Sequence, residues 1–316
     1  MRDYPAFTSP VECKLPGGVI VCVDGTCWFR ERGTRYRASI RRLSASQVEV
    51  TAHRPSVWYE GTTDDLTNDQ RAYLRALRLG LLPEPTDEQR AEAEAKRRAL
   101  SLSVAANRAK SNIRRLCKTF NADALLTLTY RANQDDLALC KRHLKEFVRR
   151  LRRVCPGFAA VAGFERQKRG AWHVHLACPA RLMAMGHGVK SFNVIRAIWR
   201  SVTGDLGGNI DVSKRFRAHR SSCARIAAYI SKYITKAFAE GEKWTNRWTR
   251  FGEMSIPDAV KLETDSLRDL IVDAYRAVGM SGEVAGAWIG PEGDWFFFAG
   301  EGRLVDVDWL VGAHVG

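Results

Sequence analysis

A chain of 316 residues, 45% of them hydrophobic, is long enough to bury one large core or two modest ones, as a soluble globular protein does. No apolar run approaches the ~20 residues of a membrane span, and the N-terminus fits neither a signal peptide nor a myristoylation site. We therefore expect a cytoplasmic protein with no membrane partner. The 50 Lys and Arg against 35 Asp and Glu give a formal charge of +15, which favours a nucleic-acid partner. The eight cysteines include no Cys-x-x-Cys pair, so neither a zinc finger nor a secreted disulfide framework is indicated.

The first 83 residues are predicted to form a basic N-terminal accessory segment. Residues 17–29 predict two short strands around an Asp-Gly pair, which is typical of a hairpin turn. A helix is predicted from Asp64 to Leu79, where a glycine follows it. The proline-containing stretch 83–87 predicts a loop and a boundary.

A long helix is predicted next, capped by Thr86 and running to about Leu116. Its second half, residues 103–116, is basic, and it either lines a groove for nucleic acid or presents a solvated charged face. Residues 123–130 predict a core strand with alternating Thr hydroxyls toward its end.

The helix that follows is predicted from a cap at Asp135-Asp136 to about Val154, with apolar residues at three- and four-residue spacing. Its other face holds seven cations against Glu146 alone, and phosphate contact is favoured over a solvated face. These cations are Lys141, Arg142, Lys145, Arg149, Arg150, Arg152 and Arg153.

Two apolar strands around the polar turn Lys168–Gly170 then predict a hairpin. Alternate residues of a strand share a face, so His173 and His175 point the same way. A three-residue turn sets Glu165 directly opposite His173. Two imidazoles and a carboxylate suit a divalent ion that also holds a substrate. The alternative is a glutamate at a strand end that faces solvent.

Further along the chain, a helix over residues 191–202, a strand over residues 209–212 and a basic loop over residues 214–220 lead to a second informative helix. Tyr229 and Tyr233 lie one turn apart on it, beside an arc of cations made of Arg225, Lys232 and Lys236. A tyrosine at the edge of a core is the ordinary explanation. Together with a metal site, the arrangement favours nucleophilic attack on a phosphate, because nearby cations stabilise the charge that develops.

Residues 256–316 are predicted to form a C-terminal accessory region. A strand at 250–256, a helix near 262–278 and an aromatic stretch at 295–298 are expected in this end of the chain. Acidic residues are frequent here, so this region is not expected to contribute to a DNA groove.

Three segments, in this order, resemble the HUH endonucleases, specifically the replication initiators of rolling-circle phages and plasmids. The Leu-Thr-Leu-Thr strand at 125–130 is similar to the first motif of that family, and His173-Val174-His175 to its histidine–hydrophobic–histidine motif. Tyr229-x-x-x-Tyr233, with its two lysines, is similar to the two-tyrosine helix of single-stranded-DNA phage initiators. The resemblance covers residues 105–240.

The resemblance implies an α+β fold, with a central antiparallel sheet of the ferredoxin- or RRM-like type flanked by helices. The nicking and joining domain, with its preceding basic helix, is expected at 84–255, between the accessory segments 1–83 and 256–316. Mg²⁺ or Mn²⁺ is expected on His173, His175 and Glu165. The implied partner is single-stranded or locally melted origin DNA. Contact with that DNA is expected from Arg108, Lys110, Arg114, Arg115, Arg149, Arg152, Lys168, Arg169, Lys214, Arg215 and Arg225.

The implied activity is that of a DNA nickase and strand transferase that initiates rolling-circle replication in a bacterial host. Tyr229 or Tyr233 would attack, helped by Lys232 and Lys236, and leave a 5′-phosphotyrosine and a free 3′-hydroxyl. The sequence has no Gly-x-x-x-x-Gly-Lys-Ser/Thr, so a host helicase and host replication proteins are expected partners. Two alternatives stay open: a two-tyrosine transposase of the same chemistry, and a non-catalytic nucleic-acid-binding module on an RRM-like sheet.

Overall fold

The structure is a computed structural model that describes Phe7 and residues 9–180, 190–212, 223–239, 248–278 and 283–302, with the backbone alone at 224, 233–239 and 277–278. The helices are α1 (Asn68–Arg78), α2 (Asp87–Thr119), α3 (Leu137–Val154), α4 (Ser191–Thr203), α5 (Cys223–Ala239) and α6 (Leu267–Val278). The strands are β1 (Val11–Lys14), β2 (Ile20–Cys22), β3 (Cys27–Arg32), β4 (Tyr36–Ser44), β5 (Gln47–His53), β6 (Ser56–Gly61), β7 (Ala124–Tyr130), β8 (Ala160–Arg166), β9 (Trp172–Cys178), β10 (Gly208–Val212), β11 (Trp248–Phe251), β12 (Val260–Thr264), β13 (Glu283–Ile289) and β14 (Trp295–Glu301). The predicted α+β class is confirmed.

The central sheet has the strand order β10-β7-β9-β8-β11, with every neighbouring pair antiparallel. The chain runs through it as β7-α3-β8-β9-α4-β10, which is the element order of the ferredoxin-like motif. Side chains alternate between its two faces. Leu126 and Leu128 pack in the core with α3 and α4, whereas Leu125 packs in a second core with α2 and α5.

Helix α3 follows the prediction closely. The Asp136 carboxylate accepts hydrogen bonds from two backbone amides of the first turn and so caps the helix. Its apolar stripe, which includes Leu144 and Phe147, is buried against the central sheet, and the Phe147 ring lies 5.6 Å from that of Trp199 on α4. The cationic face therefore points away from the sheet.

The N-terminal sheet has the order β1-β2-β3-β6, and its core includes Leu74 of α1. The hairpin predicted within residues 17–29 is confirmed by the antiparallel pairing of β2 with β3. The helix predicted from Asp64 was wrong at its start, because residues 63–65 form a separate 3-10 turn and α1 begins only at Asn68. Thr62 and Thr67 each close a capping box with the side chain three residues later, so the chain is capped twice.

The composite sheet, β12-β4-β5-β14-β13, combines strands from both ends of the chain. Strand β4 pairs with β12, and β5 with β14, so the segments 1–83 and 256–316 share one sheet. Helix α6 packs on one of its faces. The helix predicted near 262–278 was wrong at its start, because residues 260–264 alternate their burial as a strand does and form β12. The predicted strand 250–256 ends at Phe251, five residues early.

A buried charge cluster joins the composite sheet to α2. Glu49 on β5 is only 1% exposed and accepts hydrogen bonds from Arg114 and Arg115, with the Lys118 ammonium 3.6 Å away. Burial alone would raise the pKa of Glu49, but the three cations outweigh it and lower that pKa to about 2. Burial also lowers the pKa of Lys118, against the effect of Glu49. The cluster fixes α2 against β5.

None of the helices in the described ranges is both long and apolar enough to cross a membrane. All eight cysteines are free thiols, and all but Cys13 are buried. Buried thiols of this kind behave as small apolar side chains.

Candidate metal and phosphate site

The β8–β9 hairpin has the register that the sequence predicts. Glu165 pairs directly with His173, and Arg166 pairs with Trp172. The turn closes through hydrogen bonds between Gln167 and Ala171 and between Gly170 and Gln167. Gly170 has a φ of 93°, a left-handed conformation that side chains with a Cβ rarely adopt. The predicted three-residue turn is therefore confirmed, and it sets the carboxylate beside the histidines.

Both ring nitrogens of His175 are bonded, and the side chain is 6% exposed. Its Nε2 lies 2.9 Å from Oε2 of Glu165, and its Nδ1 lies 3.0 Å from Oγ1 of Thr127 on β7. An ionised carboxylate only accepts hydrogen bonds. In a neutral imidazole, Nε2 therefore carries the proton and donates it to Glu165, while the Thr127 hydroxyl donates to Nδ1. These two bonds fix the orientation of the ring.

His173 is in a different state. Its Nε2 is buried and has no hydrogen-bond partner among the described residues. Burial is the main cause that lowers the pKa of His173 to about 4; the charges of His175 and Arg169 add to this effect, while Glu165 opposes it. The imidazole is therefore neutral at pH 7, as a metal ligand must be.

Helix α5 brings a tyrosine to the same face of the central sheet. Ile226, Ala227 and Ile230 are buried in the core between α2, α5 and the sheet. On the adjoining part of the helix, the Tyr229 ring stands edge-on to the His175 ring, with centroids 6.5 Å apart and an interplanar angle of 88°. Tyr229 is 42% exposed, so it borders the histidine pair and is also open to a substrate.

Residues 123–238 match the family model of the replication-associated protein ORF2. The matched segment begins just before β7 and ends in α5, so it contains Glu165, His173, His175 and Tyr229. The match supports a role in the initiation of replication, with DNA as the partner. No curated protein and no solved structure matches the chain.

Two cations of α5 flank the tyrosine that borders the histidines. Arg225 precedes Tyr229 by four residues and Lys232 follows it by three, and both are exposed. Residues at these spacings are neighbours on a helix surface. Tyr233 and Lys236 also belong to α5, but their side chains lie outside the described residues, as do Lys214 and Arg215 entirely.

The hairpin turn and α2 place four of the predicted DNA contacts at the surface. Lys168 and Arg169 are exposed at the turn, beyond the strand end that carries Glu165. Arg169 is held there by a hydrogen bond to the carbonyl oxygen of Tyr130. Arg108 and Lys110 are exposed on α2, the helix against which α5 packs.

Four other predicted DNA contacts lie away from the histidines or are bonded within the protein. Arg149 and Arg152 lie on α3, on the opposite face of the central sheet. Arg149 forms an ion pair with Glu146, and Arg152 donates to the carbonyl oxygen of Phe158. Arg114 and Arg115 are bonded to Glu49 in the buried cluster. The structure thus does not bring these four together with the metal site.

Thr127 is the site residue that the sequence interpretation missed. The alternating hydroxyls of residues 123–130 were visible, but their partner depends on the register of β7 against β9, which sets Thr127 opposite His175. A short strand without charged residues gives no local signal of that register.

The residues present fit a divalent ion, with one rearrangement. As the side chains stand, no three His, Cys, Asp or Glu side chains in the described ranges are arranged to hold a metal ion. The Glu165 carboxylate is bonded to His175 instead. The buried, unpartnered Nε2 of His173 is nevertheless a lone pair without a use in the protein. Two neutral imidazoles and one carboxylate are a donor set that divalent ions accept.

Proposed function

We propose that this protein is a metal-dependent, single-strand DNA endonuclease and strand transferase that nicks and rejoins an origin to initiate rolling-circle replication. The observation that carries the proposal is the edge-on contact between Tyr229 and His175, whose Nε2 is bonded to Glu165. A tyrosine nucleophile, a histidine pair and a carboxylate then lie on one side of the central sheet. The match of residues 123–238 supports the same role.

His173, His175 and Glu165 are the residues that would hold Mg²⁺ or Mn²⁺. When bound, such an ion supplies Lewis-acid polarisation of the scissile phosphate. Thr127 keeps the His175 ring in place through Nδ1, which leaves Nε2 as the nitrogen available for the ion.

The Tyr229 hydroxyl would attack the phosphorus of one phosphodiester. A bond forms between phosphorus and the phenolic oxygen, and the bond from phosphorus to the 3′ oxygen breaks. The phenol loses one proton and the 3′ oxygen gains one, so the exchange needs no further reactant and the joined strand can be restored by the reverse step. Arg225 and Lys232, next to Tyr229 on α5, would offset the negative charge that develops on the phosphate.

Tyr233 is proposed as the second nucleophile, on the strength of the sequence pattern. It follows Tyr229 by one turn of α5, the spacing at which a second phenol can reach a phosphate while the first holds the cleaved end. Such a pair could cut a regenerated origin without releasing the displaced strand. The free 3′-hydroxyl would prime synthesis by host replication proteins after a host helicase separates the duplex.

The proposed path of the DNA follows the α5 face of the central sheet. Lys168 and Arg169 at the hairpin turn, and Lys110 on α2, would contact phosphates there. Arg149 and Arg152 lie on the opposite face, and Arg114 and Arg115 are bonded to Glu49, so these four are left out of the proposed path.

The test is the covalent adduct. The protein is incubated with Mn²⁺ and a pool of randomised single-stranded oligonucleotides, and trapped complexes are separated under denaturing conditions and sequenced. We expect an adduct with the wild type and with the control Tyr73→Phe, whose tyrosine is exposed on α1. We expect none with the double variant Tyr229→Phe/Tyr233→Phe. If no adduct forms, or if the double variant forms it equally well, the proposal is wrong.

A further inference from the structure

A cleft of about 910 Å³ lies between the composite sheet and the pair of helices α2 and α5. The sheet contributes aromatic side chains, and the helices contribute cations. The residues that matter are Trp288, Trp295, Phe297, Lys110, Arg114 and Lys232. This cleft is separate from the histidine face of the central sheet.

The cleft is strongly positive. Five Lys and Arg residues line it, and among its described lining residues there is no Asp or Glu. Glu49 lies beneath the surface, 1% exposed, and offsets the charge of only one of the three cations around it. Lys110 and Lys232 are exposed, and neither forms an ion pair with a described residue. The cleft therefore suits a polyanion.

The aromatic wall is exposed, which is unusual for side chains of this size. Trp288 is 56% exposed and Trp295 is 41% exposed. Trp288 pairs with Phe297, and Trp295 lies two residues before Phe297 on β14, so the three rings share one face of the composite sheet. The Arg114 guanidinium lies 4.8 Å above the Phe297 ring. Contiguous exposed aromatic side chains mark binding surfaces more often than they occur by chance.

Glycines let the two indoles lie against the sheet. A Cβ on Gly286 would overlap the six-membered ring of Trp288, and a Cβ on Gly290 would come within 2.6 Å of the Trp295 ring. The rings thus occupy the space above two residues that have no side chain. This packing limits the rotamers of both indoles, so little entropy is lost when they bind a flat partner.

We propose that this cleft binds unpaired DNA, with bases stacked on Trp288 and Trp295 and phosphates on Lys110 and Lys232. Stacking requires an open base face, which single strands offer and duplexes hide. A sheet with exposed rings beside cations is a general solution for holding single-stranded nucleic acid. The link of this cleft to nicking rests on the proposed function.

Continuity of α5 connects the cleft to the nicking face. Ala228, Ser231 and Lys232 line the cleft, while Tyr229 contacts His175 on the other side. A strand attached to Tyr229 therefore has to pass only around one helix to reach the cleft. The cleft would hold the melted strand next to the nick.

The test measures the affinity for a fluorescein-labelled thymidine oligonucleotide of about 16 nucleotides by anisotropy, within the range of site sizes of single-strand binders. Trp288→Ala and Trp295→Ala are each expected to weaken binding roughly five- to a hundredfold, as the loss of one stacked base does. Trp288→Phe should lose less, because a ring remains. Lys110→Ala should weaken binding, whereas its matched control Lys96→Ala, on the same helix, should bind as the wild type does.

A second measurement does not depend on how the variants fold. A 5-iodouracil oligonucleotide is photo-crosslinked to the wild-type protein, and the labelled peptide is expected to fall within residues 283–302. Unchanged affinity in both tryptophan variants, equal binding of a duplex, or crosslinks confined to other peptides would overturn the proposal. So would a wild-type dimer that the tryptophan variants convert to a monomer, since a second copy would then be the occupant.

The two proposals fail separately. Trp288→Ala should still form the covalent adduct on a short oligonucleotide that spans only the cleaved bond. Tyr229→Phe/Tyr233→Phe should still bind the thymidine oligonucleotide with wild-type affinity. Loss of adduct formation in the wild type with the cleft binding intact would refute nicking alone.

Discussion

Glu49→Gln removes the carboxylate that joins the composite sheet to α2. The carboxylate is 1% exposed and is bonded to two arginines, and the Lys118 side chain beside it is only 2% exposed. Glutamine keeps the shape of the side chain and can still accept one hydrogen bond. What it removes is the negative charge against three cations, two of which are bonded directly.

The expected loss in the free energy of unfolding at pH 7 is about 3 kcal/mol. The pKa of Glu49 is lowered from 4.5 to about 2, and each unit corresponds to ~1.4 kcal/mol of preference for the charged form. Breaking a buried ion pair from one side costs about 3–5 kcal/mol. We expect the lower end, because the pKa of Lys118 is already lowered by burial and this lysine can lose its proton in the variant.

Urea unfolding at several pH values measures this loss. A carboxyl group whose pKa is lowered by folding stabilises the protein above its unfolded pKa and loses that effect as the pH falls toward the folded value. The difference between wild type and Glu49→Gln should therefore be largest near pH 7 and shrink from about pH 4.5 toward pH 2. Glu146→Gln is the control, since Glu146 has a similarly low pKa from two arginines but is exposed to solvent and should cost far less. Equal losses for the two variants, or a difference that does not change with pH, would contradict this reasoning.

Two further predictions concern the metal and the DNA. Thr127→Val keeps the volume but removes the hydroxyl at Nδ1 of His175, so we expect Mn²⁺ affinity to fall roughly 10- to 100-fold in titration calorimetry, with Thr129→Val as the control. Lys168→Ala should weaken binding of a single-stranded oligonucleotide and reduce its dependence on salt, whereas Arg149→Ala should leave both unchanged, because α3 lies across the central sheet. Equal effects of the two substitutions would place DNA on both faces.

Local signals made the hairpin predictable from sequence. The position of the glycine in the turn sets its length, and the length sets which residues face each other, so Glu165 and His173 could be paired before the structure was known. The cap at Asp136 and the apolar stripe of α3 were equally local. In both cases a few adjacent residues decide the outcome, and no distant strand competes.

The composite sheet was not predictable in the same way. Its strands lie more than 200 residues apart in the chain, and nothing within β4 or β12 identifies the other as its partner. Residues 260–264 were assigned in part to the helix that follows them, because five residues are too few to separate a period of two from a helical period. The acidic residues of this end suggested a region remote from DNA. They lie elsewhere on it, since no Asp or Glu is among the described residues that line the cleft.

The same helix carries both proposed surfaces, and its spacing explains how. Ile226 and Ile230 anchor α5 between α2 and the central sheet, which fixes its rotation. With that rotation set, Tyr229 falls beside His175, and Lys232, three residues on, falls in the cleft. Residues three and four apart are adjacent on a helix surface, so a phosphate at the phenol and a phosphate at the ammonium can belong to one strand. The buried cluster at Glu49 holds α2 against the composite sheet, and it thereby holds the far wall of the cleft at a constant distance from the nucleophile.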